Sequence, residues 1–149
     1  MKVLTVAIPC YNSQEYMKKA IESVLPGGDD VEIIVVDDGS KDNTKEIGAQ
    51  YEKQYPGIVK LVSKENGGHG SAVNAGLANA SGVYYKVLDS DDWFDKKSLL
   101  EVLKLLKRMI HEEIKLDILI ANYVYEKPSA GKRRIINYRS AMPLDELFT

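Results

Sequence analysis

Short apolar runs that alternate with amphipathic segments constrain the fold of this chain most. Runs at residues 3–8, 31–36, 58–62 and 83–88 are rich in β-branched residues and too short for core helices. Between the first two, apolar residues recur at the spacing of one helix face: Met17, Ala20, Ile21, Val24 and Leu25. Strands that alternate with helices predict βαβ units with right-handed crossovers. The chain should therefore form a layered α/β/α domain with a mostly parallel sheet.

The same reading extends along the rest of the chain. Further helices are predicted over 43–55, from 67–70 through 80, and over 99–110, followed by a fifth strand at 116–121. Asn12, with Glu15 three residues later, fits the N-terminal cap of the first helix.

After residue 121 the alternation fades. Residues 123–125 and 135–138 predict a hairpin around 128–131, with the basic residues 132–134 at its tip. We expect one domain over 1–149, with 1–121 as the alternating core and 122–149 as a hairpin-like extension. Residues 143–149 carry apolar side chains without a clear closing element, so truncation at the C-terminus is expected.

Net charge and cysteine content limit the possible ligands and the cellular compartment. Twenty Lys and Arg against 22 Asp and Glu give a net charge of −2, which leaves no excess of positive charge for nucleic acid. The single cysteine, Cys10, cannot form an internal disulfide and lies in an apolar stretch, which predicts a buried thiol in a reducing compartment. No stretch approaches the roughly 20 apolar residues of a membrane span. A cytoplasmic location is expected.

Acidic residues follow two of the predicted strands, in loops where such a sheet binds ligands. Ligands of these sheets bind beyond the carboxyl ends of the strands, so the loops after strands one, two and four should converge. Carboxylates at one edge repel each other unless a cation or hydrogen-bond donors lie among them. They are Asp37, Asp38, Asp89, Asp91 and Asp92. Oxygen ligands of this kind select Mg²⁺ or Mn²⁺.

The absence of arginine before Arg108 favours the metal interpretation. A guanidinium clamp for phosphate is missing from these loops, and a metal ion is the natural substitute. The competing interpretation is that such aspartates cap helices or form Asx turns, as expected of Asp42 and Asp95. On the metal interpretation, Asp-x-Asp at the end of the fourth strand predicts a bridge between a metal ion and a diphosphate.

Other motifs are weaker. The run Gly67-Gly68-His69-Gly70 fails the dinucleotide fingerprint, because Val73 stands at the third glycine position and the loop follows the third strand. Its glycines still allow a ligand to approach backbone N–H groups, and His69 is a candidate pocket donor or acid/base residue. Tyr11 and Trp93 could stack on a base or sugar, or pack on the core. The sequence contains no P-loop, zinc spacing or nucleophile elbow.

Four ordered motifs resemble a family-two glycosyltransferase of the GT-A fold. They are residues 6–12, residues 32–40 with Asp42 and Thr44, residues 65–68 with 74–76, and residues 88–92. The resemblance implies a nucleotide-sugar donor, commonly a UDP-sugar, with Pro9 and Tyr11 beside the nucleoside and Asp38 on the base. Asp91 would be the principal metal ligand, with Asp89 near the metal or ribose. The donor-binding candidates are Pro9, Tyr11, Asn12, Asp37, Asp38, Asn66, Gly68, His69, Asn74, Asp89 and Ser90.

The resemblance also implies the reaction. A base deprotonates an acceptor hydroxyl on a glycan, a lipid or another molecule, the anomeric centre inverts, and the metal stabilises the departing diphosphate. Val73 stands where many relatives have Arg. The family's general base lies well beyond the acidic motif, so it is expected past residue 149. The intact protein could then lie at the inner face of the membrane, as in cell-envelope polysaccharide synthesis.

Two other functions stay open at this stage. A receiver-like signalling module would use an Asp pair and a later Asp to bind Mg²⁺ and accept phosphate. Against it, a complete strand-helix unit precedes the Asp pair, and no Lys directly follows the fifth strand at 121–123. A catalytically inactive nucleotide- or glycan-binding domain would retain the same donor site.

Overall fold

The computed structural model describes residues 1–127 and 131–138. The chain divides into two compact units, Met1–Glu113 and a second that begins at Ile114. Most of the predicted hairpin turn, 128–130, and the ending at 143–149 lie outside the described residues.

The first unit contains a four-stranded sheet and four helices. Its strands are β1 (Leu4–Cys10), β2 (Val31–Asp38), β3 (Val59–Lys64) and β4 (Tyr84–Val87), and its helices are α1 (Met17–Val24), α2 (Thr44–Gln54), α3 (His69–Ala78) and α4 (Lys96–His111). A short 3₁₀ helix, Leu25–Asp30, joins α1 to β2. All strand pairs are parallel and the order is β3-β2-β1-β4, which confirms the predicted fold class.

The helices form layers on the two faces of the sheet. On one face Ile34 and Val36 pack against Ala72 of α3. On the other, Gly48 of α2 lies against Val35 and Leu61, so alternate residues of β2 face opposite layers. The chain order reverses at β1, whose neighbours are β2 on one side and β4 on the other. Such a reversal is a topological switch point, where sheets of this kind bind ligands.

Two local predictions need correction. The first strand does not end at Pro9 but runs through it to Cys10, and Pro9 pairs with Val36 of β2. A proline fits here because the β1–β4 ladder ends earlier, at Ala7. Asn12 does not cap α1, whose N-cap residue is Tyr16 without a side-chain hydrogen bond.

The second unit contains β5 (Tyr123–Lys127) and β6 (Lys132–Ile136), which pair antiparallel where the sequence predicts a hairpin. The fifth strand predicted over 116–121 is wrong, because these residues have no regular secondary structure and Ile118 is 73% exposed. A strand needs a partner for its backbone groups, and none pairs with this run among the described residues. Arg133 forms an ion pair with Glu126. No helix within 1–127 and 131–138 is long and apolar enough to cross a bilayer.

Candidate functional site

Four loops meet at the carboxyl edge of the sheet, where the candidate residues lie. Each loop follows one strand, and hydrogen bonds that involve side chains join neighbouring loops. These connections hold the loops of the site together.

Asp38 anchors the loop that follows β3. Its carboxylate is buried, accepts a hydrogen bond from Lys64 Nζ at 2.6 Å, and accepts backbone bonds from Gly67 (3.0 Å) and Gly68 (2.8 Å). Asn66 donates to the backbone carbonyl of Asp38 at 3.1 Å. The Lys64 hydrogen bond, supported by the two glycine amides, lowers the pKa of Asp38 although burial opposes this. A carboxylate has about four acceptor positions, so one stays available for a ligand.

Asn12 ties the loop after β1 to the loop after β2. Its backbone N–H donates to Ser40 Oγ at 3.0 Å, and its side-chain Oδ1 accepts from the Lys41 N–H at 2.9 Å. Its φ of 50° is in the left-handed region, which asparagine tolerates better than most residues. Asp37, also buried, accepts from the Ser40 N–H at 3.0 Å. Hydrogen-bond donors from the loops therefore hold both aspartates after β2 in place.

Ser13, which sequence reasoning missed, joins the loop after β1 to the loop after β4. Its hydroxyl lies 2.9 Å from Ser90 Oγ, and its N–H donates to Thr44 Oγ1 at 2.8 Å. A serine next to an asparagine carries no sequence signal for such a bond. Lys64 was also missed, although a lysine that ends the strand beside an Asp pair could have suggested an ion pair.

The acidic residues after β4 form an exposed turn. The Asp92 N–H donates to the Asp89 carbonyl at 2.9 Å, and the side chains of Asp89 and Asp91 face solvent. Partial burial, together with the carboxylates of Asp91 and Asp89, raises the pKa of Asp92. His69 Nε2 lies 3.9 Å from Asp89 Oδ1, which brings the loop after β3 next to this turn. The turn therefore concentrates negative charge that a cation would relieve.

The residues present fit a partly built metal site. Among the described residues, no three His, Cys, Asp or Glu side chains are grouped to hold an ion by themselves. Mg²⁺ and Mn²⁺ need no such cage when substrate phosphates and water complete the coordination. Asp89 and Asp91 could supply the protein ligands, whereas the internal bonds of Asp37 and Asp38 commit them to the loops.

The remaining candidate residues differ in how exposed their side chains are. Tyr11 is half exposed, whereas Trp93 packs beneath Lys19, whose Nζ lies 3.0 Å from the ring centre. Asn74 is exposed on α3, and Pro9 is buried. Burial, followed by the Asp37 carboxylate, raises the pKa of the Cys10 thiol to about 12, which favours the protonated thiol at neutral pH.

The two aspartates expected to have local roles do so. Asp95 caps α4 by accepting from the Ser98 N–H at 2.9 Å. Asp42 accepts from the N–H of Thr44 at 2.9 Å, as in an Asx turn, and from the N–H of Gln14 at 3.2 Å.

With this geometry in place, comparison with known proteins decides the family. The model of the family described as glycosyl transferase family 2 matches residues 5–134. The chain belongs to this family. It is 33% identical over 136 residues to the minor teichoic acid biosynthesis protein GgaA of Bacillus subtilis, covering 87% of this chain and 30% of GgaA. It is 35% identical over 129 residues to glycosyltransferase GlyA of Streptococcus pneumoniae, covering 86% of this chain and 18% of GlyA.

Solved structures of glycosyltransferases share the fold. S. aureus TarS 1-349 in complex with UDP-GlcNAc superimposes with a TM-score of 0.64 at 29% identity, over 74% of this chain and 32% of that one. Mannosyltransferase PcManGT of Pyrobaculum calidifontis, in complex with GDP-Man and Mn²⁺, gives 0.61 at 26% identity, over 69% and 32%. This glycosyltransferase-family chain spans less than a third of the length of each.

Proposed function

We propose that this chain binds the nucleotide-sugar donor and a divalent metal ion in an inverting glycosyltransferase that transfers a sugar to an acceptor hydroxyl. The observation that carries the proposal is the exposed turn after β4. It presents Asp89 and Asp91 to solvent at the switch point of the sheet, while Asp37 and Asp38 are held by internal hydrogen bonds. The GT-A relatives bound to UDP-GlcNAc or to GDP-Man support a nucleotide-sugar donor.

Different loops would contact the metal ion, the nucleoside and the phosphates. Asp89 and Asp91 would hold Mg²⁺ or Mn²⁺, and this ion, when bound, neutralises charge that develops on the departing diphosphate. Tyr11 offers a half-exposed ring for the nucleoside, and Asp38 retains acceptor capacity for a base N–H. Gly68 and Gly70 have open space around them, which would let a phosphate approach the N-terminal turn of α3. UDP is the first nucleotide to test, because TarS is bound to UDP-GlcNAc.

No residue of the described part is assigned as general base. The carboxylates at the edge serve as metal ligands, loop anchors or helix caps. The acceptor stays defined only as a hydroxyl of a glycan, a lipid or another molecule. GgaA, a teichoic acid biosynthesis protein, supports cell-envelope polysaccharide synthesis as the setting. The intact protein would then work on the cytoplasmic side, peripheral to the membrane.

Calorimetric titration of UDP and UDP-sugars with Mn²⁺, and again with EDTA, tests the proposal. Binding should weaken at least tenfold in EDTA and in Asp91→Ala, because both remove the bridge to the diphosphate. Asp29→Ala, an exposed aspartate far along the chain from the acidic turn, is the matched control and should bind as wild type. Equal affinity under all conditions would contradict the metal site.

A transfer assay addresses the binding-only alternative. Release of UDP that depends on an added acceptor, measured with the intact protein, would separate an enzyme from an inactive binding domain. The receiver hypothesis is not retained, because the chain belongs to glycosyltransferase family 2.

A further inference from the structure

Resting on the function proposed above, we propose that Ser13 is a positioning residue that couples the metal-binding turn to the nucleotide-binding loops. It acts through the hydrogen bond between its hydroxyl and that of Ser90. Ser13 touches neither the metal ion nor the donor in this proposal. Its effect is on where the two carboxylates of the turn are held.

The turn after β4 presents its side chains on two sides. Asp89 and Asp91 face solvent, whereas Ser90 between them reaches inward to Ser13 at 2.9 Å. The backbone bond from Asp92 to Asp89 closes the turn but does not set its rotation about the end of the strand. Within residues 89–92, the hydrogen bond of Ser90 to Ser13 is the one that joins the turn to the loop after β1. Anchoring the middle residue therefore holds its two neighbours outward.

Ser13 is itself held rigidly. Its side chain is 4% exposed, and its hydroxyl accepts from the Tyr11 N–H at 3.2 Å. Its own N–H donates to Thr44 Oγ1, which donates in turn to Asp42. This series of bonds runs from the start of α2 through the Tyr11 loop to the acidic turn. A turn tied to so ordered a segment loses less conformational freedom when it takes up a metal ion.

The coupling predicts a specific pattern of affinities. Ser13→Ala and Ser90→Ala should each weaken Mn²⁺ binding to the UDP complex by about three- to tenfold, the range expected for one lost hydrogen bond. The affinity of Ser13→Ala for UDP in EDTA should change less than twofold, because Ser13 touches neither the metal ion nor the donor. Because both variants remove the same bond, the double variant should lose no more than either single variant.

Calorimetry of Mn²⁺ binding to the UDP-saturated chain provides the measurement, with UDP titrations in EDTA beside it. Ser90→Thr keeps a hydroxyl at a partly exposed position and should restore wild-type Mn²⁺ affinity. Ser98→Ala removes a similar hydroxyl from α4, one that donates to the N-cap residue Asp95. This variant should leave Mn²⁺ and UDP binding unchanged. Thermal unfolding by circular dichroism identifies any variant that fails to fold, in which case the Ser90 variants decide.

The outcomes separate this inference from the function on which it rests. Wild-type UDP binding that needs Mn²⁺, with unchanged Mn²⁺ affinity in Ser13→Ala and Ser90→Ala, would overturn the positioning role alone. UDP binding that weakens equally with and without Mn²⁺ in these variants would also overturn the positioning role, because a merely structural role predicts that result. Wild-type protein that binds UDP equally well in EDTA would overturn the metal-dependent function, and the inference with it.

Discussion

Replacing Asp38 by Asn tests how the site is held together. The substitution removes the negative charge opposite Lys64 Nζ at 2.6 Å and replaces one of the two acceptor oxygens with an NH₂ group. One of the glycine amides at 2.8 or 3.0 Å then faces a donor instead of an acceptor. Hydrogen bonds to charged groups contribute about 1.5–3 kcal/mol, so losing the ionic bond and one amide bond should cost about 3 kcal/mol.

Urea unfolding of wild type and Asp38→Asn measures this loss, which corresponds to a fall in Tm of about 6–12 °C for a chain of this size. Asp37→Asn is a matched control, because Asp37 is equally buried at 3% but its carboxylate accepts from the Ser40 N–H and not from a lysine. That variant should lose only about 1 kcal/mol. Equal losses in the two variants, or a loss below 1 kcal/mol in Asp38→Asn, would refute the anchoring role.

Two further predictions concern acid and packing. Because the folded pKa of Asp38 lies below its unfolded value, its stabilisation is present above the unfolded pKa and is lost as pH falls through the folded pKa. Tm measured from pH 7 to 3 should fall less steeply in Asp38→Asn than in wild type, and parallel curves would count against this. Gly76→Ala should cost about 1–3 kcal/mol in urea unfolding, since its Cβ would lie 2.7 Å from Ala7 Cβ, and wild-type stability would contradict the packing.

Hydrophobic pattern was enough to predict the sheet. The apolar run at 31–36 predicts a central strand and the run at 3–8 a core strand, and β2 and β1 occupy the centre of the sheet. The run at 116–121 has a similar composition but forms no strand, because composition does not reveal whether a neighbour is present to pair with it.

The edge at which the site lies was also predictable, since it follows from parallel topology. The partners of each side chain were not. The sequence predicts five carboxylates at one edge with a cation or hydrogen-bond donors among them, but not which of them have donors. In the structure, donors from other loops hold Asp37 and Asp38, and the turn after β4 is exposed. Such bonds join residues far apart in the chain, as in Ser13 and Ser90, and local patterns cannot reveal them.

The absence of a side chain at Gly76 lets α3 pack very closely on the sheet. Helix α3 rests so near the central strand that even a methyl group there would overlap Ala7, and the Tyr85 hydroxyl bonds to the Val73 carbonyl of the same helix. Contacts this close oppose tilting or sliding of α3 against β1. If the chain binds a sugar nucleotide as proposed, room for different donor sugars would have to come from the start of α3, where Gly68 and Gly70 have open space around them.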